Sequence, residues 1–262
     1  MPLLAPVMTA TRSVRALSMT VILSAARHPA GRPGPARITR CLAYHRTVRQ
    51  LRGVITDWGG VMTNPIIESV DAWLTADGIE RASYTTVMRR WVRQAYTDGA
   101  DVNPIHALER GECSNADFER ALARELVRVD GGPVASSGLL ERMFAGSRMD
   151  ERMLELFRAL RAGGVPTGLL SNSWGFGYPR ELFGDLFDAV VISAEVGMRK
   201  PEPRIFLHAA RLLGLPPEAC IFIDDIQANV AAAEELGFTG VLHTAADGTA
   251  ERVTELLATA LS

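Results

Sequence analysis

Lysine is almost missing from this chain: of its 28 basic residues only Lys200 is not arginine. Cysteine is scarce as well. Cys41, Cys113 and Cys220 lie far apart with no C-x-x-C pair, which removes the sequence basis for a zinc site or a redox couple and reads as reduced thiols of a cytoplasmic protein. Acidic residues are absent before Asp57, while nine arginines precede it. The formal net charge of −2 therefore conceals a basic head and a remainder with 19 basic against 30 acidic residues. Long apolar runs are missing too: Leu17 to Ala26 is about half of the ~20 residues that span a bilayer, so no membrane partner is expected.

What is present suits a globular protein. Hydrophobic residues make up 47% of the 262 residues and charged residues 22%, enough for a sizeable core in one large domain or a domain carrying an insertion. The break in charge places a boundary near Arg52. Residues 1–51 are expected to be a basic, disordered N-terminal extension, a leader or the product of a start codon placed too far upstream. An Arg-rich targeting peptide and a nucleic-acid arm are the other two readings. Scattering of the arginines among Pro, Gly and Ala, with only Tyr44 as an aromatic, counts against the arm, and no nucleic-acid partner is expected.

From Arg52 onward, short apolar runs alternate with amphipathic stretches, the pattern of an α/β protein with a parallel sheet. The expected strands are 53–56, 166–171, 189–193, 220–223 and 240–243, with helices over 151–162, 180–186, 203–213, 227–236 and 249–261. Residues 64–148 break the alternation: they show helical periodicity over 68–76, 84–95 and 116–129 and no strand pattern. We read them as a helical insert, with 52–63 and 149–262 forming the core. No repeat or low-complexity tract interrupts the core elements.

Ligands of open parallel sheets bind at the carboxyl ends of the strands. Those ends carry Asp57-Trp58-Gly59-Gly60-Val61, Ser171-Asn172, the loop Gly197-Met198-Arg199-Lys200-Pro201 and Asp224-Asp225. An Asp can attack a phosphate monoester only beside a cation that offsets the repulsion, so a second carboxylate station is needed, and Asp225, with or without Asp224, supplies it. Mg²⁺ would be held by Asp57, the main-chain carbonyl of Gly59, these carboxylates and water. Ser171 and backbone amides would take phosphoryl oxygens, Asn172 would orient the aspartate or the substrate, and Lys200 would stabilise the transferring group. Other uses stand beside these: Asp57 as a helix N-cap, which Gly59-Gly60 and Pro65 disfavour; Asp224 and Asp225 as caps of the helix at Gln227; Ser171 as a turn residue; Lys200 as a solvated charge. His106, His208 and His243 show no site spacing. Trp73 and Trp91 read as packing in the insert, and the sequence leaves open whether Trp58 or Trp174 lines the pocket.

Four stations in this order resemble the haloacid-dehalogenase-like superfamily, over about 200 residues. Gly197-Met198-Arg199-Lys200-Pro201-Glu202-Pro203 and Phe222 to Asn229 look nearest to the branch holding sugar-1-phosphate phosphatases and the N-terminal phosphatase domain of soluble epoxide hydrolases. The resemblance implies a three-layer Rossmann-like core with a helical cap over residues 64–148 and a Mg²⁺-dependent phosphohydrolase acting on a small phosphorylated metabolite through an aspartyl-phosphate. It implies Asp57 as nucleophile, Asp225 as direct metal ligand and Asp224 behind it. In one respect the chain departs from the pattern. Most such phosphatases carry an acid/base Asp two residues after the nucleophile, and here Gly59 stands there, which points to leaving groups that need little protonation. A 2-haloacid dehalogenase-like enzyme also lacks that acid but does not keep two carboxylates at the fourth station. A non-catalytic protein holding a phosphorylated ligand or partner, and a phosphomutase, which the missing acid/base also disfavours, are the remaining alternatives. Oligomeric state is not legible.

Overall fold

Runs such as Gly53–Thr56 and Cys220–Asp224 are apolar on both faces of the pleat, so they belong inside a sheet covered on both sides rather than at a surface. A computed structural model describes residues 50–96, 103–175 and 177–259; nearly all of the basic extension lies outside the described residues. Strands β1 (Gly53–Thr56), β2 (Thr167–Ser171), β3 (Ala189–Ile192), β4 (Cys220–Asp224) and β5 (Thr239–Leu242) form one parallel sheet in the order β3-β2-β1-β4-β5. Val54 stands opposite Thr167 on one side and Ile221 on the other.

Alternate strand residues go to opposite faces. Val54, Leu169, Ile221 and Val241 pack in one cluster with residues of α6 (Glu151–Ala162), α7 (Phe183–Leu186) and α11 (Ala246–Thr259). Ile55, Leu170, Val191 and Phe222 pack in another with α9 (Pro203–Leu212) and α10 (Gln227–Glu235). The result is three layers, as expected from the alternation. Pro166 stays outside β2, since it has no N–H for a ladder, but its carbonyl accepts from Val54 N (3.0 Å). Ser193 opens the short helix α8 (Ser193–Val196) instead of closing β3, and Asp224 is the last residue of β4 rather than the first after it.

Between β1 and α6 lie α1 (Ile66–Ala76), α2 (Arg81–Tyr96), α3 (Pro104–Glu109), α4 (Asn115–Glu125) and α5 (Leu139–Phe144). Their inward residues form a separate cluster that includes Trp73, Trp91, Phe118, Leu139 and Met143. Helices α3 and α5 have six residues each, too few for a periodic signal, and were not anticipated. Helix α4 ends earlier than its apolar spacing suggests, because Val127 O and Val129 N bond Glu80 N (2.8 Å) and Gly78 O (2.9 Å) in an antiparallel bridge. The two chain crossings pair with each other. Thr63 bridges Met149, and Asn64 accepts from Arg148 N (2.7 Å) while donating its own N–H to Arg148 O (2.9 Å). Among the described residues no helix is long and apolar enough to cross a membrane.

Candidate active site

The chain runs from β1 outward to β2 and β3, then returns to the other side of β1 for β4 and β5. Loops leaving β1 and β4 therefore part in opposite directions, and the opening between them is where an α/β sheet receives ligands. Asp57 follows β1, Asp224 ends β4 and Asp225 follows it. Main-chain bonds from Asp57 N to Ile223 O (2.8 Å) and from His243 N to Asp224 O (2.9 Å) extend the ladder into this opening and hold the two stations in register.

Lys200 lies between them, 1% exposed, with Nζ donating to Asp57 Oδ1 (2.8 Å) and Asp224 Oδ2 (2.6 Å). Asp224 is saturated by protein donors: Oδ1 also accepts from Ile226 N (2.9 Å), and Asn229 Nδ2 reaches both oxygens at 3.0 and 3.1 Å. Its side chain does not cap α10, whose cap position is Ile226. One ligand atom each of Asp57, Asp224 and Asp225 fall within 4.8 Å of one another, near enough to share a cation. All donors are carboxylates, the set that suits Mg²⁺, Ca²⁺ or Mn²⁺ rather than a softer metal. Gly60 has φ +78, and a Cβ there would lie 2.5 Å from Asp225 Oδ2, so this residue must be glycine for both conformation and space. Gly59 differs. Its Cβ would meet only the side chain of Ile66, 2.9 Å from Cδ1, and Ile66 is 41% exposed.

The electrostatics show an excess of negative charge. Burial pushes the Asp57 carboxyl up to about 7, against the pull of Lys200 and with Asp224 and Asp225 adding to the rise. Burial and then Asp224 raise Asp225 to about 6. Burial alone would lower Lys200, but Asp224 and Asp57 outweigh it and hold the ammonium above its ordinary range. A bound cation relieves such a cluster.

Ser171 is 2% exposed at the end of β2, and its Oγ lies 2.9 Å from the phenol oxygen of Tyr178. Burial pushes that phenol up to about 12, which keeps it neutral. The side chain of Asn172 is engaged with Lys200: Oδ1 accepts from Lys200 N (2.8 Å) and Nδ2 donates to Lys200 O (3.0 Å). It clamps the main chain of the lysine. Tyr178 and Asn229 escaped the sequence reading. Asn229 had a usable signal, one helical turn into α10 after a strand-end carboxylate, whereas Tyr178 sits in an irregular loop that offers none.

Trp58 is buried against Tyr178 and Phe183, with ring centroids 5.9 and 5.8 Å away, and so belongs to the sheet's core. Trp174 packs instead on the insert, against Phe118 (5.7 Å) and Phe144 (6.2 Å). Trp73 and Trp91 are buried in the insert. Of the histidines, His243 Nδ1 pairs with Thr249 Oγ1 (2.9 Å) and His208 Nδ1 with Arg211 (2.7 Å).

Mouse acyl-CoA dehydrogenase family member 10 is 29% identical over 229 residues, which is 84% of this chain and 20% of that protein. The sesquiterpene phosphatase astK of Aspergillus oryzae is 31% identical over 137 residues, 51% of this chain and 68% of that one. The chain thus spans a fifth of the mouse protein and about two thirds of the fungal one. An enzyme of the same family, bt-2542 from Bacteroides thetaiotaomicron, solved in complex with magnesium and inorganic phosphate, superposes with a TM-score of 0.54 over 74% of this chain and 95% of its own, at 22% identity, and so shares the fold. Residues 49–237 match the haloacid dehalogenase-like hydrolases, and the chain belongs to that family.

Proposed function

We propose that this hydrolase releases phosphate from a small phosphorylated metabolite, with Asp57 as nucleophile and Mg²⁺ as cofactor. The observation that carries the proposal is the buried ammonium of Lys200 bridging Asp57 and Asp224, with Asp225 close enough to share a cation with Asp57. A relative named as a phosphatase supports it. Asp57, Asp225 and the main-chain carbonyl of Gly59 would hold Mg²⁺, with Asp224 behind them anchoring Lys200. When bound, the ion offsets the repulsion between a phosphate dianion and the attacking carboxylate.

The chain's own residues then divide the work. Lys200 engages Oδ1 of Asp57 and leaves Oδ2 to attack phosphorus. A bond forms from Oδ2 to phosphorus as the bond to the leaving oxygen breaks, and water later cleaves the aspartyl-phosphate, restoring Asp57 and releasing phosphate. Ser171 Oγ and the main-chain amide of Asn172 bind phosphoryl oxygens, and Lys200 stabilises their charge. Residue 59 offers no proton, so leaving groups that need little protonation, such as anomeric sugar or acyl phosphates, are favoured over simple alkyl phosphates. Residues 64–148 act as a cap on the core of 52–63 and 149–262, opening for substrate and closing to exclude water. Cys113 and Cys220 as free thiols accord with a cytoplasmic location.

The test is a phosphate-release screen with Mg²⁺ over esters of graded leaving-group pKa. Release should stop on chelation and fall by at least about 10³-fold in Asp57→Asn. Release that persists in that variant would remove Asp57 as nucleophile, and hydrolysis that survives chelation would return the 2-haloacid dehalogenase reading to first place.

A further inference from the structure

The loops that carry the site also receive the insert, through residues the mechanism above does not use. Glu109, the last residue of α3, is 5% exposed although it is charged. One of its carboxylate oxygens accepts from Arg199 Nε and the other from the indole N–H of Trp174 (3.3 Å). Arg199 immediately precedes Lys200. Trp174 lies two residues after Asn172, whose side-chain amide bonds both the main-chain N–H and C=O of Lys200. Arg110 extends the contact by donating Nε to Glu202 Oε1 (2.9 Å), beyond Lys200 in the same loop. The seam is closely built at Gly111, where φ is +71 and a Cβ would lie 2.6 Å from the main-chain oxygen of Ala194.

A buried ion pair adds little net stability compared with apolar packing, but it defines register sharply, because either partner left alone is an uncompensated buried charge. Here the register it defines is that of Lys200. We propose that Glu109 is a positioning residue: through Arg199 and Trp174 it makes docking of the insert and alignment of the Lys200 ammonium group a single event. The inference rests on the phosphoryl-transfer reading of the site.

The experiment compares the full chain with Glu109→Gln, Arg199→Gln and the double variant, following Mg²⁺-dependent hydrolysis of p-nitrophenyl phosphate and, without substrate, hydrogen exchange of the peptide 197–203. Glu109→Gln leaves Arg199 unpaired and is expected to lower kcat by about 10–100-fold, with KM changed less than about threefold. Exchange over 197–203 should speed about tenfold, and the double variant, in which two amides can bond each other, should recover most of both losses. A folded Glu109→Gln protein with wild-type kcat and wild-type exchange, altered only in Tm, would reduce the pair to a structural staple and overturn the proposal. Should Glu109→Gln fail to fold, Trp174→Phe keeps the ring packing and removes the indole N–H. Its kcat should then fall about 3–10-fold, and an unchanged kcat overturns the proposal equally. If the wild-type protein hydrolyses no ester, the phosphoryl reading fails by itself. The exchange arm then decides, with faster exchange in the variant supporting the coupling and unchanged exchange ending it.

Discussion

Alternate residues of one strand in the sheet go to opposite clusters, whereas the five helices of the insert share a single cluster built on Trp73, Trp91, Phe118 and Phe144. The difference extends to how each region meets the site. The two strand-end stations are set in register by the main chain, through Asp57 N to Ile223 O and His243 N to Asp224 O. The insert reaches the site through side chains, namely Glu109 to Arg199 and Trp174, with Asn115 on Gly175 O beside them. Main-chain anchoring survives many substitutions, while side-chain anchoring depends on the few residues that make it. A fold of this kind can keep one reaction in the sheet and vary its control through the insert.

Substitutions in the two regions should accordingly fail in different ways. Lys200→Met removes the ammonium from between two buried carboxylates and is expected to lower the unfolding free energy by about 3–5 kcal/mol in urea melts without Mg²⁺, with turnover lost as well. Phe118→Ala opens the insert's aromatic cluster and should destabilise by a similar 3–5 kcal/mol, yet leave Mg²⁺ affinity by calorimetry within about threefold of wild type. A large loss of Mg²⁺ affinity there would erase the distinction between the regions.

A smaller effect concerns pH. Asp57 and Asp225 have carboxyls raised to about 7 and about 6, first by burial. A raised carboxyl favours the folded state while protonated, so its contribution is complete below the ordinary carboxylate range and disappears as pH climbs through the folded value. The metal-free protein should therefore lose stability between about pH 4 and 7. Mg²⁺ bound as proposed would relieve that loss, and the gain in Tm with saturating Mg²⁺ should be larger at about pH 8 than at about pH 5. Equal gains at both would argue against a cation among these carboxylates. The mildest expected change is Gly59→Asp. The new Cβ would meet only the side chain of Ile66, a partly exposed residue, and turnover on alkyl phosphates should rise about tenfold while aryl phosphates change little.

Much of the core was legible beforehand, because its signals are local. Each strand appeared as a short apolar run within a residue or two of its true ends, and helix α6 was read at its observed limits, where Asp150 caps Met153 N. The lone lysine of an arginine-using chain drew attention to position 200. The insert was read less well: α3 and α5 are too short for periodicity, and α4 was drawn too long because backbone pairing with Gly78–Glu80 overrides the apolar spacing. At the site, the sequence suggested Asp57, Ser171, Lys200 and Asp225 as positions at strand ends, but not the clamp of Asn172 on Lys200, the Tyr178 phenol beside Ser171 or the Asn229 amide on Asp224.

By itself the sequence determined the alternation of strands and helices and the residue types at each strand end. These follow from periods of two and 3.6 that act over a few neighbours. Only the tertiary structure decided the order β3-β2-β1-β4-β5 and, with it, which carboxylates approach Lys200 and which side chains tie the insert to its loop. Those partnerships join residues far apart in sequence, 90 positions for Glu109 and Arg199 and 92 for Arg110 and Glu202, and no local pattern encodes the meeting of two loops that only the packed sheet brings together.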